Sequence, residues 1–332
     1  MGISLQTVST IKGVLQKTAP ALEGRILYST STAASRPTMF DAFCKTMQSH
    51  AAKESAKKLV AQAELVLPQF EKAAQDMLSR SGANAKVSCR AKSVTSTANK
   101  IQKNFRNFKN YNEAREQIQD VILGDGIKNM VGDSLGMRFT LNTPHPDRIY
   151  ENIIKQRSKN FQINYFEDYF GTGVQPYASN TIKDKFAKLQ YIAPDGSKAN
   201  TIVTSTEKPF GYTRTNINGT FAGINTEIQV GGKYTNRWGD AEHVLYDMRQ
   251  GKTLDFSHYT KAQIKLAQQI QKAYEKVLIN PALNAEYTNN YLNKIWGVLV
   301  DAERQCLCKP VFPPLPKGIP DILSAKNILK LT

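Results

Sequence analysis

The chain is poor in the residues that usually announce metal or redox chemistry: four cysteines, four histidines and two tryptophans in 332 residues. Only Cys306 and Cys308 lie close together, and no Cys or His pair has zinc-finger spacing. This excludes a disulfide framework or structural metal as the organising principle, and predicts free thiols in a reducing compartment. No apolar run approaches the roughly 18–20 residues needed to cross a bilayer, so a soluble protein with no membrane span is expected. The N-terminal stretch 3–15 is interrupted by Gln6, Ser9, Thr10 and Lys12 and lacks the apolar core of a secretory signal. Acidic residues are scarce as well, 28 against 44 Lys and Arg, for a net charge of +16. Such an excess favours polyanionic partners, whether nucleotides, RNA or an anionic membrane face, without choosing among them.

Residues 1–40 are rich in Ser, Thr and Ala, with Glu23 the only acid, and are expected to form a flexible arm or a leader. Apolar residues at helical intervals predict one or two N-terminal helices over 41–84, broken near Pro68. A core follows over 85–250. Its expected strands lie at 86–90, 135–141, 161–166, 201–204, 213–217 and 224–230. Expected helices run from Ser93 or Thr95 to about 123, over 146–159 and over 236–249, with a variable loop region, room for a short helix included, at 171–200. Two further helices, 261–278 and 286–306, should pack on this core over 251–308. The Pro-rich segment beginning at Pro310 should leave 309–332 as an extended tail. Interleaved strands and helices predict an α+β fold with a mixed β-sheet of about five strands flanked by helices.

Four clusters carry residues suited to chemistry. In the first, Arg90, Lys92, Ser93, Ser96 and Lys100 sit where a strand opens into a helix. There, backbone N–H groups and the positive end of the helix dipole favour phosphate, and Lys103, Arg106 and Lys109 extend a basic stripe. In the second, Asp133, Gly136 and Arg138 begin a strand, and a carboxylate there suits Mg²⁺, although a turn aspartate is the simpler reading. The third is Lys208–Pro209–Phe210–Gly211–Tyr212, in which Tyr212 would either stack on a base or lie half-buried in a turn. In the fourth, Glu227 and Gln229 share one strand face, followed by Trp238, Glu242, His243 and Tyr246. Glu242 and His243 read more readily as a supporting pair than as a catalytic one.

Together, and in this order, the clusters resemble the synthetase domain of the RelA/SpoT family of alarmone synthetases. That family carries an R-x-K-S-x-x-S segment with a downstream basic residue, a D-x-x-G-x-R strand start, a K-P-N-G-Y loop, an E-x-Q-I-R-T strand and a W…EH…Y helix. The resemblance covers about half the chain. It implies a nucleotidyltransferase-like pyrophosphokinase with Mg²⁺ as cofactor. Arg90 and Arg138 would flank the adenine of ATP, with Lys92, Ser93, Ser96 and Lys100 about its phosphates. Asp133 and Glu227 would hold Mg²⁺, and Glu227 would also activate the acceptor's 3′-hydroxyl. Tyr212 would stack on the acceptor base, Lys208 would contact acceptor phosphates, and Asn216 and Gln229 would complete the acceptor side.

Three positions depart from the pattern: Phe210 replaces the usual Asn, Asn216 the usual His, and Gly231–Gly232 the usual Arg–Thr. All lie on the acceptor side and leave the acceptor open. A purine nucleotide is preferred, giving a (p)ppGpp-like or (p)ppApp-like product. The 3′ end of tRNA is the alternative, and a non-catalytic RNA-binding protein on a degenerated synthetase fold is a third reading. With no His–Asp pair and no room for the family's regulatory domains, a synthetase-only protein is expected. It would act in the cytoplasm as a growth-inhibiting toxin or a delivered effector, with an antitoxin or immunity protein as a neutralising partner.

Overall fold

The computed structural model describes residues 36–104, 113, 116, 130–142, 146–158, 160–252, 254, 256, 259–306 and 309–332. Its centre is a six-stranded mixed sheet built from β1 (Ala85–Ala91), β2 (Leu135–Leu141), β3 (Phe161–Gly171), β6 (Ile202–Lys208), β7 (Arg214–Phe221) and β8 (Ile224–Gly232). The spatial order is β1-β2-β8-β7-β3-β6, with β2 parallel to β8, β3 parallel to β6 and the remaining pairs antiparallel. A separate hairpin, β4 (Gln190–Ile192) and β5 (Lys198–Asn200), occupies the region expected as a variable loop. The fold is therefore α+β, with one more strand in the main sheet than expected.

The two faces of the sheet differ because side chains alternate along each strand. Leu135, Met137, Phe139 and Leu141 of β2, with Ile228 and Val230 of β8 and Ile217 of β7, are buried on one face. Three helices cover that face: α1 (Arg36–Ser81), α3 (Asp147–Gln156) and α4 (Asn180–Ala187), contributing Phe70, Met77, Tyr150, Ile153 and Phe186 to the same core. Between them, α2 (Val94–Lys103) packs Ile101 against Ala52, Ala56 and Leu59 of α1. The opposite face is polar. Among the described residues α5 (Lys233–Arg249) packs on it, with Asn236 donating from Nδ2 to Thr140 Oγ1 at 2.9 Å.

A second apolar cluster joins α5 to α6 (Lys261–Ile279), α7 (Pro281–Ala285), a π-helical segment Glu286–Leu292 and α8 (Asn293–Arg304). The C-terminal segment does not end as an extended tail. After the proline run, Ile319, Leu323, Ile328 and Leu331 bury themselves in this cluster. Tyr287 Oη donates to Leu323 O and Ala325 N donates to Tyr291 Oη, which pins the segment in place. Proline forbids helix only locally, and four apolar residues beyond it have a core to join.

α1 is one continuous helix with Pro68 inside it, not a pair broken there. Pro68 is exposed, so the carbonyl left without its N–H partner on that side can be hydrated. α1 also reaches back to Arg36, into the segment expected as an arm. α2 ends at Lys103, where Asn104 Nδ2 closes it on Lys100 O. Expectations for residues 1–35, for Phe105, Arg106, Phe108, Lys109, Ile118 and Ile122, and for a loop at Gly124 and Gly126 lie outside the described residues.

Candidate active site

The polar face gathers residues from five adjacent strands. Register places Arg90 opposite Gly136, Gly136 opposite Glu227, Arg138 opposite Gln229, Gln229 opposite Asn216 and Asn216 opposite Glu167. These residues line two adjacent rows across the sheet, Arg90–Gly136–Glu227 in one and Arg138–Gln229–Asn216–Glu167 in the other. At Gly136 a Cβ would lie 3.5 Å from Arg90 Cγ, an ordinary contact, so the Arg90 side chain lies over β2 at this position.

At the edge of the face, Asp133 precedes β2 and accepts two charge-assisted hydrogen bonds, from Lys92 Nζ at 2.6 Å and Lys100 Nζ at 2.7 Å. Burial pushes its carboxyl up, but the two ammonium groups outweigh this and hold it down at about 2. Lys100 is on α2, whose N-terminus is capped by Ser93 Oγ accepting from the Ser96 N–H at 3.2 Å. Lys92, Ser93 and Ser96 therefore lie at the start of α2, and Lys100, from its last turn, meets Lys92 at Asp133.

Further into the face, Gln229 organises the centre. Its Oε1 accepts from Arg138 Nε at 3.1 Å and Arg214 Nη1 at 2.9 Å, and its Nε2 donates to Glu227 Oε2 at 2.7 Å. Asn216 Nδ2 donates to Glu227 Oε1 at 3.3 Å. Burial, reinforced by the nearby Asp133 charge, raises the Glu227 carboxyl above its ordinary value. Two carboxylates thus share one electrostatic neighbourhood with opposite tendencies, Asp133 firmly ionised and Glu227 inclined to take up a proton. Arg138 also donates from Nη1 to both oxygens of Asp240, at 2.7 and 2.9 Å.

On the far side, Tyr212 is half-buried, 5.4 Å from the Trp296 ring and 5.8 Å from Tyr169. It is therefore not the exposed platform of the stacking alternative. Lys208 Nζ lies 4.3 Å over the Tyr169 ring. Gly211, between them, has φ +84° and sits so close to α8 that a Cβ would fall 2.5 Å from Asn293 Cα. Both the backbone conformation and the space at this turn require glycine.

Glu242 and His243 do not act as a pair. Glu242 is buried and bound to Arg249, whose guanidinium lies 4.7 Å over Phe210, whereas His243 is exposed and faces Asp247 at 3.0 Å. Glu242 therefore reaches the Lys208–Tyr212 loop only through Arg249, and His243 is bonded to none of the cleft residues. Neighbouring positions on a helix point about 100° apart, which separates them.

Sequence reasoning missed Arg214, Asp240, Glu167, Tyr169 and Asn218, the last donating from Nδ2 to Glu167 Oε2 at 2.8 Å. Alternation was the available signal: Arg214 and Asn218 flank Asn216 at strand spacing. Among the described residues no cluster of three or more His, Cys, Asp or Glu is placed to hold a metal by itself.

The architecture is an α+β protein with a polar sheet face carrying Asp133 and Glu227 beside several cations. The chain matches no known family model, and no curated protein matches it. No helix among the described residues is long and apolar enough to cross a membrane.

Proposed function

We propose that the chain is a RelA/SpoT-like pyrophosphokinase that transfers the β,γ-diphosphate of ATP to the 3′-hydroxyl of a purine nucleotide. The supporting observation is the meeting about one polar sheet face of residues from four separate sequence clusters, with Asp133 and Glu227 in one electrostatic neighbourhood.

Asp133 holds Lys92 and Lys100 together before substrate arrives, so two cations, one just ahead of α2 and one reaching in from its last turn, wait for the triphosphate. Arg90 and Arg138, diagonal neighbours on adjacent strands, offer guanidinium planes to the adenine. Glu227 accepts the proton of the acceptor's 3′-hydroxyl, whose oxygen bonds to the β-phosphorus of ATP as the bridging bond to the α-phosphate breaks and AMP leaves. A carboxyl raised by burial is the better base of the two. Mg²⁺ takes one or two carboxylates plus substrate phosphate oxygens. Asp133 and Glu227 fit that requirement, and the ion would supply charge neutralisation at the transferring group. Lys208 and the Tyr169–Tyr212 pair border the acceptor.

The test is incubation of the purified chain with γ-labelled ATP, Mg²⁺ and GDP, GTP, AMP, ADP, ATP or deacylated tRNA in separate reactions. Label should pass to a purine nucleotide and be lost in Glu227→Gln. Selective labelling of tRNA would move the acceptor to an RNA 3′ end, a course the +16 charge accommodates. No transfer to any acceptor, with Glu227→Gln indistinguishable from wild type, would leave RNA binding without catalysis. Unopposed transfer drains ATP in the cytoplasm. Expression should therefore inhibit growth, and a neutralising antitoxin or immunity protein would relieve it.

A further inference from the structure

Arg214 is an anomaly on the polar face. It is 4% exposed, yet its Nε and Nη2 have no hydrogen-bond partner among the described residues, and Nη1 donates to the neutral amide of Gln229. A buried guanidinium without a bonded carboxylate is costly to hold. Its surroundings explain how it is accommodated. Gly231, on the neighbouring strand, leaves a space in which a Cβ would lie 2.8 Å from Asn236 Oδ1 and 3.6 Å from Arg214 Nε. Gly239 of α5 leaves another, where a Cβ would lie 2.9 Å from Arg214 Nη2. Gly231 is also where the chain departs from the arginine of the motif it resembles.

We propose that Arg214, reaching across from β7, fills the place that a side chain at 231 would occupy on β8, and serves as the positioning residue that joins the two halves of the site. Gln229 is the means. Its Oε1 is committed to the guanidinium groups of Arg214 and Arg138, so its Nε2 is left to face Glu227. Turning the amide over would set N–H donors against N–H donors, which the two arginines forbid. Arg214 therefore fixes the orientation of the group that holds Glu227. Its guanidinium also lies 5.6 Å from the Tyr212 ring centroid, tying Glu227 to the acceptor border through one side chain. The catalytic part of this inference rests on the pyrophosphokinase reading; the sharing of space between positions 214 and 231 does not.

The experiment is a double-mutant cycle on the full chain with Arg214→Ser, Gly231→Arg and the combination, read by thermal melts and by transfer kinetics. Gly231→Arg alone should lower Tm sharply, because the new side chain meets Asn236 and Arg214. Adding Arg214→Ser should recover the part of that loss that comes from the two guanidinium groups meeting, the contact with Asn236 remaining, so the two changes are non-additive. In transfer, Arg214→Ser should lower kcat by about tenfold to a hundredfold, the scale of a lost supporting contact, with KM for ATP unchanged. Arg214→Lys should recover only part, and the double variant should recover more than either single change. If Arg214→Ser does not fold, Arg214→Met takes its place in both measurements. Additive Tm changes would overturn the shared space. Wild-type kinetics in the folded Arg214 variant would overturn the positioning role. If wild type itself transfers nothing, the pyrophosphokinase reading and the positioning role fail together, while the melts still decide the shared space.

Discussion

Asp133→Asn is the sharpest perturbation of the Lys92–Lys100 edge of the face, since it removes one charge and keeps the shape. In the folded chain the Asp133 carboxyl is held at about 2 against an ordinary 3.8. A displacement of that size corresponds to about 2 kcal/mol of stability, at roughly 1.4 kcal/mol per pKa unit. The side chain is 20% exposed, so solvent screening removes only part of it. Because the folded value lies below the unfolded one, the contribution is complete above about pH 4 and disappears as the pH falls toward 2. Asparagine offers the two lysines a single uncharged oxygen in place of a carboxylate, leaving the Lys92 and Lys100 charges to repel each other. Urea denaturation of both proteins across this range isolates the effect, because other carboxylates titrate in both. The variant should be less stable by about 2 kcal/mol near neutral pH, with the gap closing in acid. A gap that stays constant from pH 7 to pH 2 would refute the assignment of that stability to the Asp133 charge.

Three further outcomes follow from the geometry. Glu242→Ala strands the buried Arg249 and should cost about 3 kcal/mol or more in urea denaturation, with Arg249→Met plus Glu242→Leu far milder. Gly211→Ala meets both a positive φ and Asn293 Cα, and should lower stability by about 2 kcal/mol or more, while loosening the loop that carries Lys208. Since the Glu227 carboxyl lies above its ordinary 4.5, its base form is lost at a higher pH than for a free glutamate. The transfer rate should rise with pH through a midpoint above that value, and a rate already flat at pH 4.5 would contradict the base role.

Much of the sheet was legible because β2, β7 and β8 alternate apolar and polar residues over most of their length, a pattern that specifies both strand and face. What escaped had a different signature. β3 continues past Phe166 through Glu167, Asp168 and Tyr169, where the second polar side chain belongs to a buried residue: Asp168 is fully enclosed and paired with Lys183. An inward-facing aspartate breaks the alternation, so the strand looked finished at Phe166 and Tyr169 lay outside every expected element. β6 carries Thr and Ser on both faces at the sheet edge and gives a similarly weak signal.

The site divides along the same line. Lys92 and Lys100 could be grouped from sequence because a strand opening into a helix is a local feature, whereas Asp133 lay in a separate cluster joined to them only by the resemblance. Gln229 could be placed on the right face, but not its bonds, which come from Arg138 on one neighbouring strand and Arg214 on the other. Arg214 stands between two threonines of the stretch expected as a strand over 213–217, and only pairing with β8 shows that its guanidinium lies beside Gly231, where a Cβ would meet Asn236 Oδ1 at 2.8 Å. A glycine on one strand and an arginine on the next are each uninformative alone. The sheet turns them into one arrangement, so positions that depart from the motif one by one along the sequence are continuously bonded in space, from Arg214 through Gln229 to Glu227.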